Sequence, residues 1–144
     1  MYAKAVHMKL PALETDNITE LLLKIIKFAK KRQQVLMENI NNVRSPGFTP
    51  RDLAVDEFCT LLNNAINEHI SNRRLVLYDT DSIKFGMAGS FAIEPIVDSH
   101  AHELLGESRG RYLELQINKL LENSLNYKVA NELLEQKQGT AFFE

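Results

Sequence analysis

Apolar residues recur at alternating intervals of four and three in the first third of this chain, which is the rhythm of a helix that packs along its length. The rhythm runs from about Ile18 to Val43 and predicts a helix of ~39 Å. Gln33 is the polar break in the stripe, where a glutamine either fixes register or is tolerated at the edge. The apolar positions are Leu22, Ile26, Ala29, Leu36, Ile40 and Val43.

The same rhythm returns in the last third and predicts a second long helix. It runs from Gly110 to Gln138, or ~43 Å, and Gly139 is its expected end. Two helices of matched length predict a mainly α fold in which the chain ends pair as an antiparallel coiled-coil-like bundle. A lone pair buries little surface, so we expect it to be marginal until it packs against further helices. The second stripe consists of Leu113, Ile117, Leu120, Tyr127 and Leu134, with Ser124 and Asn131 between them.

Residues 38–53 predict a tight corner between two helices. Pro46 has no amide hydrogen and excludes Ser45 from the helical region, so the first helix must end just before them. The Ser-Pro-Gly-Phe sequence that begins at Ser45 then predicts a type II turn in which Gly47 takes a positive φ.

A helix is expected to restart directly after this turn. Thr49 would cap it, Pro50 would take its first position, and Asp52 would lie near the exposed amides of its first turn. Before the turn, Asn39 and Asn42 share one helix face. Their amides can reach the carbonyls that a helix end leaves unpaired.

The predicted organisation has four parts. They are a flexible N-terminal segment (1–17), the first long helix with the corner and a second helix (18–70), a variable insert (71–106), and the C-terminal helix with its tail (107–144). A helix cap of the box type is expected at Asp16 or Asn17, with Glu20. In the insert, apolar runs at 75–78, 83–85 and 91–93 lie between turn residues. They predict short strands with one hairpin, or an irregular loop.

Composition and charge exclude several functional classes. The 144 residues carry a net charge of -2 and the pI is near 6.1, so electrostatics do not favour nucleic acid or an anionic membrane as partner. A single cysteine, Cys59, excludes an intrachain disulfide and is predicted to be a small buried hydrophobe. A solvated or interfacial helix face is the interpretation for the basic residues Lys24, Lys27, Lys30, Lys31 and Arg32.

Neither a secretory signal nor a membrane span is predicted. Lys4, His7 and Lys9 interrupt the apolar patches of the first residues, which therefore lack the core of a secretory signal. The apolar run at 21–28 is broken by lysines and is far shorter than a bilayer.

Candidate catalytic chemistry is sparse. His100 and His102, two apart on an expected extended segment, would project to one side, as some hydrolase metal sites require. No recognisable third ligand motif accompanies them. The Asp-Thr-Asp-Ser sequence at 79–82 lacks the glycine and distal glutamate of a calcium loop, and predicts a turn. We therefore expect no catalytic residue, no metal and no cofactor.

The corner also carries a family resemblance. Residues 39–48, Asn-Ile-Asn-Asn-Val-Arg-Ser-Pro-Gly-Phe, are similar to the signature at the end of the N-terminal helix in bacterial flagellar rod and hook proteins. That signature is an asparagine followed by threonine-proline-glycine-aromatic. Arg51-Asp52-Leu53 resembles its continuation in the B-type proximal rod family (FlgB). Ser45 replaces the usual threonine and Phe48 the usual tyrosine, which keeps a hydroxyl before the proline and a ring after the glycine.

The last helix resembles the same family at residues 122–127, Glu-Asn-Ser-Leu-Asn-Tyr, and at Leu133-Leu134. The family's aspartate-glycine-asparagine and valine-aspartate stretch is not recognisable before this helix. The chain instead reads Glu-Ser-Arg-Gly-Arg-Tyr-Leu-Glu at 107–114. The resemblance therefore covers the two terminal thirds and leaves the middle uncovered.

The resemblance implies a structural subunit of the flagellar basal body. Such a subunit polymerises through its terminal helices into the axial rod, which transmits torque from the motor. The implied partners are other rod subunits, among them the C-type proximal rod protein, together with the rod-to-ring adaptor and the flagellar type III export apparatus. The chain would reach the periplasmic rod without a cleaved signal peptide. The structural motif would comprise Asn39, Asn42, Ser45, Pro46, Gly47, Phe48, Arg51 and Asp52. The assembly seam would comprise the apolar stripes of the two long helices: Leu22, Ile26, Ala29, Leu36, Ile40, Val43, Leu113, Ile117, Leu120, Tyr127 and Leu134.

Two other functions stay open from the sequence. One is a helical coiled-coil adaptor module unrelated to flagella, whose corner matches the family by coincidence. The other is a small metal-dependent hydrolase built on His100 and His102.

Overall fold

The computed structural model describes residues 9–87 and 90–143, and within them four helices and two small antiparallel sheets. Helices dominate, as the sequence predicts. In chain order the elements are α1 (Lys9–Asn41), β1 (Arg51–Asp52), α2 (Val55–Asn72), β2 (Ile83–Phe85), β3 (Phe91–Ile93), β4 (Ile96–Val97), α3 (Ser99–Glu107) and α4 (Arg109–Phe143).

Helix α1 begins earlier than the sequence predicts. Residues 9–17 already belong to it, and residues 1–8 of the predicted flexible segment lie outside the described residues. The cap expected at Asp16 or Asn17 is wrong, because both residues lie inside the helix. The side chain of Asn17 instead has partners beside α2: its amide lies 3.3 Å from Nδ1 of His69 and donates to the carbonyl of Arg73 at 3.4 Å.

The corner after α1 has the expected turn but a different continuation. Gly47 has φ +74°, and the amide of Phe48 donates to the carbonyl of Ser45 at 3.2 Å. The helix predicted to restart at Thr49 is wrong. The next residues form β1, which pairs antiparallel with β4, and α2 begins only at Val55. Strand β1 has partners far along the chain, which rules for local capping cannot anticipate.

The insert contains the predicted hairpin. Strand β2 pairs antiparallel with β3, with Phe85 opposite Phe91, whereas the run at 75–78 forms no strand. The hairpin packs on the helices through its Phe91 ring, which lies 5.9 Å from the Phe58 ring of α2 between centroids. Phe58 in turn stacks on Phe28 of α1 at 4.1 Å. The buried core there consists of Phe28, Val35, Leu53, Phe58, Leu61, Ile83 and Phe91.

Helix α4 is longer than the sequence predicts. It has 35 residues, or ~52 Å, and it passes through Gly139, so the expected end there is wrong. A single glycine inside a helix costs only about 1 kcal/mol. The preceding helix, α3, starts at Ser99 and is capped by the Asp98 side chain, which accepts from the amide of Ala101.

Helices α1 and α4 pack against each other along their length. They run in opposite directions, because Asn39 bonds to Gln116 whereas the earlier Ala29 bonds to Asn123. Near the start of α1 the contact is apolar, with Leu22, Ile26 and Ala130 buried together. The two long helices are therefore paired within one molecule.

Candidate assembly site

The predicted apolar stripes are buried to different extents on the two long helices. On α1, Leu22, Ile26, Ala29 and Leu36 are buried, and Ile40 and Val43 are partly buried. On α4, Leu113, Leu120, Tyr127 and Leu134 are only partly buried, and Ile117 is exposed. In the first half of α4 the residues that reach inward lie one position earlier along the chain. They are Tyr112, Gln116, Lys119 and Asn123.

These inward residues form a polar seam with partners on α1 and the neighbouring strands. We use this name for Arg32, Asn39, Asp52, Asp98, Tyr112, Gln116, Lys119 and Asn123.

Asn39 is the centre of one half of the polar seam and is 1% exposed. Its Nδ2 donates to the carbonyl of Arg51 at 2.7 Å and to Oε1 of Gln116 at 2.9 Å. Its Oδ1 accepts from the amide of Arg51 at 3.1 Å. The hydroxyl of Tyr112 donates to the backbone carbonyl of Asn39 at 2.9 Å. This one side chain therefore joins α1, β1 and α4.

Asp52 is the centre of the other half. Arg32 donates to both of its carboxylate oxygens, at 2.9 and 3.1 Å, and Lys119 donates at 2.9 Å. Lys119 also donates to Asp98 at 2.6 Å, and Arg32 to the largely exposed Glu122 at 3.1 Å. Buried charges of this kind are tolerated only when each one is paired.

The pairing shifts the pKa values of Asp52 and Lys119. Burial raises the pKa of the Asp52 carboxyl, but hydrogen bonds and positive charge from Arg32 and Lys119 outweigh it and hold the pKa below its ordinary value. Burial lowers the pKa of Lys119, and its two carboxylate partners more than reverse that effect. Burial, with a smaller effect from the charge of Asp98, raises the pKa of Tyr112 to about 12.

The residues of the predicted corner motif separate into two groups. Asn39 and Asp52 enter the polar seam, whereas the others stay at the turn or near the surface. Asn42 donates to the carbonyl of Glu38 at 2.9 Å and accepts from the Ser45 hydroxyl at 3.0 Å. Pro46, Gly47 and Arg51 are exposed, and Phe48 is partly buried.

The outer side of α4 carries a row of exposed apolar side chains, which we call the α4 ridge. Its members follow one another at every fourth position, and rows of that spacing are the ones that interdigitate when two helices pack. They are Ile117 (49% exposed), Leu121 (65%), Leu125 (61%), Val129 (47%) and Leu133 (46%). This row is too long to be a scatter of single surface leucines.

The α4 ridge borders an apolar groove of about 410 Å³. Helices α2 and α4 both pack on α1 and leave the groove between them. Its floor includes Leu22 and Phe28 of α1, and Cys59 lies in the α2 wall. Cys59 is exposed, so its predicted burial is wrong. The buried stripe of α2 follows Phe58, Leu61 and Ala65, and the cysteine lies one position aside from it.

Other expectations from the sequence also change. Lys27, Lys30 and Lys31 are exposed on α1, but Lys24 and Arg32, assigned to the same face, are buried. His100 and His102 lie on α3, not on an extended segment. Two helical residues two apart point to different sides, so the shared metal-facing side is wrong.

The described part of the chain contains neither a metal-ligand cluster nor a membrane-spanning helix. No group of three or more histidine, cysteine, aspartate or glutamate residues is arranged there to hold a metal ion. None of the helices described combines the length and apolarity needed to cross a membrane.

The polar seam could not be read from apolar periodicity, because most of its members are polar. One signal was present: Tyr112, Gln116, Lys119 and Asn123 repeat the same four-three rhythm, one position out of phase with the apolar residues.

No protein-family model, curated protein or solved structure matches this chain.

Proposed function

We propose that this chain is a structural subunit of the bacterial flagellar basal body, of the B type of the proximal rod, and that it is not an enzyme. It polymerises through its terminal helices into the axial rod that transmits torque from the motor. The sequence resemblance of the corner and of the last helix supports this family assignment. The α4 ridge gives the physical means of assembly, and it is the observation that carries the proposal.

The two faces of α4 have different surroundings. Its inner face is occupied by α1 through the polar seam. Its outer face exposes five large apolar side chains to water. Burying a fully exposed side chain of this size is favourable by about 1.5 to 3 kcal/mol. The ridge side chains are about half exposed, so each gains part of that on contact with another helix. In the rod, the α1–α4 pair would extend into an antiparallel coiled-coil-like bundle with helices of neighbouring subunits.

The polar seam would serve torque transmission in such a rod. Its ion pairs and amide bonds fix α1, β1 and α4 to one another. A load applied to one helix therefore reaches the other through short bonds. The neighbours would be the C-type proximal rod protein and the rod-to-ring adaptor, and the chain would pass through the type III export apparatus with its N-terminus uncleaved.

The test combines basal-body isolation with two matched variants in the cell of origin. Leu121→Lys with Leu125→Lys places charge on the α4 ridge. Tyr78→Lys does the same at a site of equal exposure, 62%, outside the helices. We expect the ridge variant to fold but to be missing from purified basal bodies, with loss of swimming. The Tyr78 variant should assemble normally. Swimming cells that lack the chain, or basal bodies without it, would contradict the proposal.

One observation favours a second function, the helical adaptor. The polar seam closes α1 on α4 within one chain, so the molecule does not need copies of itself to bury these groups. An adaptor would sediment as a compact monomer or closed dimer at every concentration. A rod subunit would form open-ended species as concentration rises.

A further inference from the structure

We infer that the α4 ridge and its groove receive the outer face of α1 from a second copy of the chain, in a head-to-tail contact. The inference rests on the proposed function and adds the partner surface. Its basis is the opposite charge of two exposed helix faces that both carry apolar side chains.

Helix α1 carries a second four-three stripe, on the side turned away from its buried one. We call it the outer stripe: Leu23, Lys27, Lys30, Gln34, Met37 and Asn41, all exposed. Leu23 and Met37 are 43% and 41% exposed. The lysines between them have long apolar stems, which can cover an apolar ridge while the ammonium groups stay in water. The face therefore has the form of a packing surface, with apolar ends and a basic centre.

The two faces have opposite charge. The segment 21–37 of α1 contains no aspartate or glutamate. On α4, Glu114, Glu132 and Glu135 are exposed beside the ridge, whereas Glu122 is paired with Arg32 of its own chain. Lys128 is the exposed basic residue of this stretch. The α2 wall of the groove, residues 55–72, contains three acids and no lysine or arginine.

Charge also favours one of two possible contacts with a second copy, namely stripe on ridge over ridge on ridge. If two α4 ridges met about a two-fold axis, their glutamates would face one another, and like charges in contact are unfavourable. The outer stripe of α1 brings lysines to the same glutamates. Because ridge and stripe lie on different helices, a copy bound through its stripe keeps its ridge free for the next copy. Such a heterologous contact forms an open polymer unless its rotation closes a ring.

The experiment uses two charge-reversal variants of the full chain. Lys27→Glu with Lys30→Glu makes the outer stripe acidic, and Glu132→Lys with Glu135→Lys makes the ridge edge basic. These side chains are exposed and lie outside the polar seam, so both variants should fold. In each variant alone, stripe and ridge carry the same sign. In a mixture of the two, every stripe finds a ridge of opposite sign.

Assembly is followed by sedimentation and by alkylation of the native Cys59, the only cysteine of the chain, which lines the groove. The unmodified chain should lose Cys59 reactivity at least about tenfold as it assembles. Each variant alone should keep the monomer's reactivity, and their equimolar mixture should recover protection. High salt should weaken all of these contacts, because exposed charges are screened.

Three results would overturn the inference. One is assembly of the Lys27/Lys30 variant alone, the second is a mixture that behaves as its separate components, and the third is a Cys59 that stays reactive in the assembled chain. If the Lys27/Lys30 variant assembles alone while the ridge variant Leu121→Lys with Leu125→Lys does not, the proposed function stands. Only α1 is then excluded as the partner surface. Absence of the chain from basal bodies would instead remove the proposed function.

Discussion

At the scale of residues, Asn39 is the side chain on which the corner depends most. It satisfies both backbone groups of Arg51 and the carbonyl oxygen of Gln116. Gln116 contributes less, because its Nε2 is buried without a hydrogen-bond partner among the described residues. We therefore expect Asn39 to contribute more than Gln116 to the free energy of unfolding.

Asn39→Ala should lower the free energy of unfolding by about 2 to 4 kcal/mol, because each buried group left unpaired costs about 1 to 3 kcal/mol. Gln116→Leu should change it by no more than about 1 kcal/mol, since it removes an unpaired amide together with the bond. Urea unfolding followed by circular dichroism measures both. Equal losses would show that Asn39 has no special weight.

Asp52 should give the fold a measurable acid sensitivity. Its pKa in the fold lies below the ordinary 3.8, so the unfolded chain takes up the proton first as pH falls. Stability from the Arg32 and Lys119 contacts is thus present above about pH 4 and lost as pH drops through the folded pKa. Asp52→Asn should reduce the loss of unfolding free energy at acidic pH. The control is Asp56→Asn, which removes an exposed carboxylate of α2 and should leave that loss unchanged. The same pH dependence of stability in both variants would contradict the role given to Asp52.

At the scale of elements, the turn at Gly47 sets the direction in which the chain leaves α1. A Cβ at this position would meet no atom within 4 Å, so only the positive φ resists substitution.

Gly47→Val should therefore destabilise the chain by about 1 to 2 kcal/mol or more, because a β-branched residue is strained at positive φ. The same variant should block rod assembly and motility. Gly47→Asn is the matched control, since asparagine tolerates this region. Thermal unfolding and swimming assays distinguish them, and a motile valine strain would argue against a role for the corner.

Sequence pattern predicted the elements better than their ends and partners. The two long helices, α2, the turn and the hairpin followed from periodicity and from Pro and Gly chemistry. Strand β1 did not, because residues 51–52 pair with 96–97, far along the chain. The polar seam was missed for the same reason: Asn39 and Gln116 are 77 positions apart, and local spacing carries no information on such a pair.

At the scale of the whole molecule, the polar seam changes what we expect of the isolated chain. The sequence predicts a marginal helix pair, yet Leu36 is 0% exposed in a single chain. Amides near Leu36 should therefore exchange slowly even in a dilute monomer, whereas those near Leu133, on the exposed ridge, should exchange faster. Hydrogen exchange with mass spectrometry measures both. Rapid exchange at Leu36 would mean that the pair opens when alone.

Because α1 and α4 are antiparallel, the helix pair has two different ends, which we call its poles. Ile18 packs beside Leu134 at one pole, while the corner and α3 lie at the other, beside Tyr112. A gold particle attached at either end of the described chain would therefore mark the same pole. In micrographs of fibres labelled at both ends, each repeat should show a single dense band, whereas labels at opposite poles would give two.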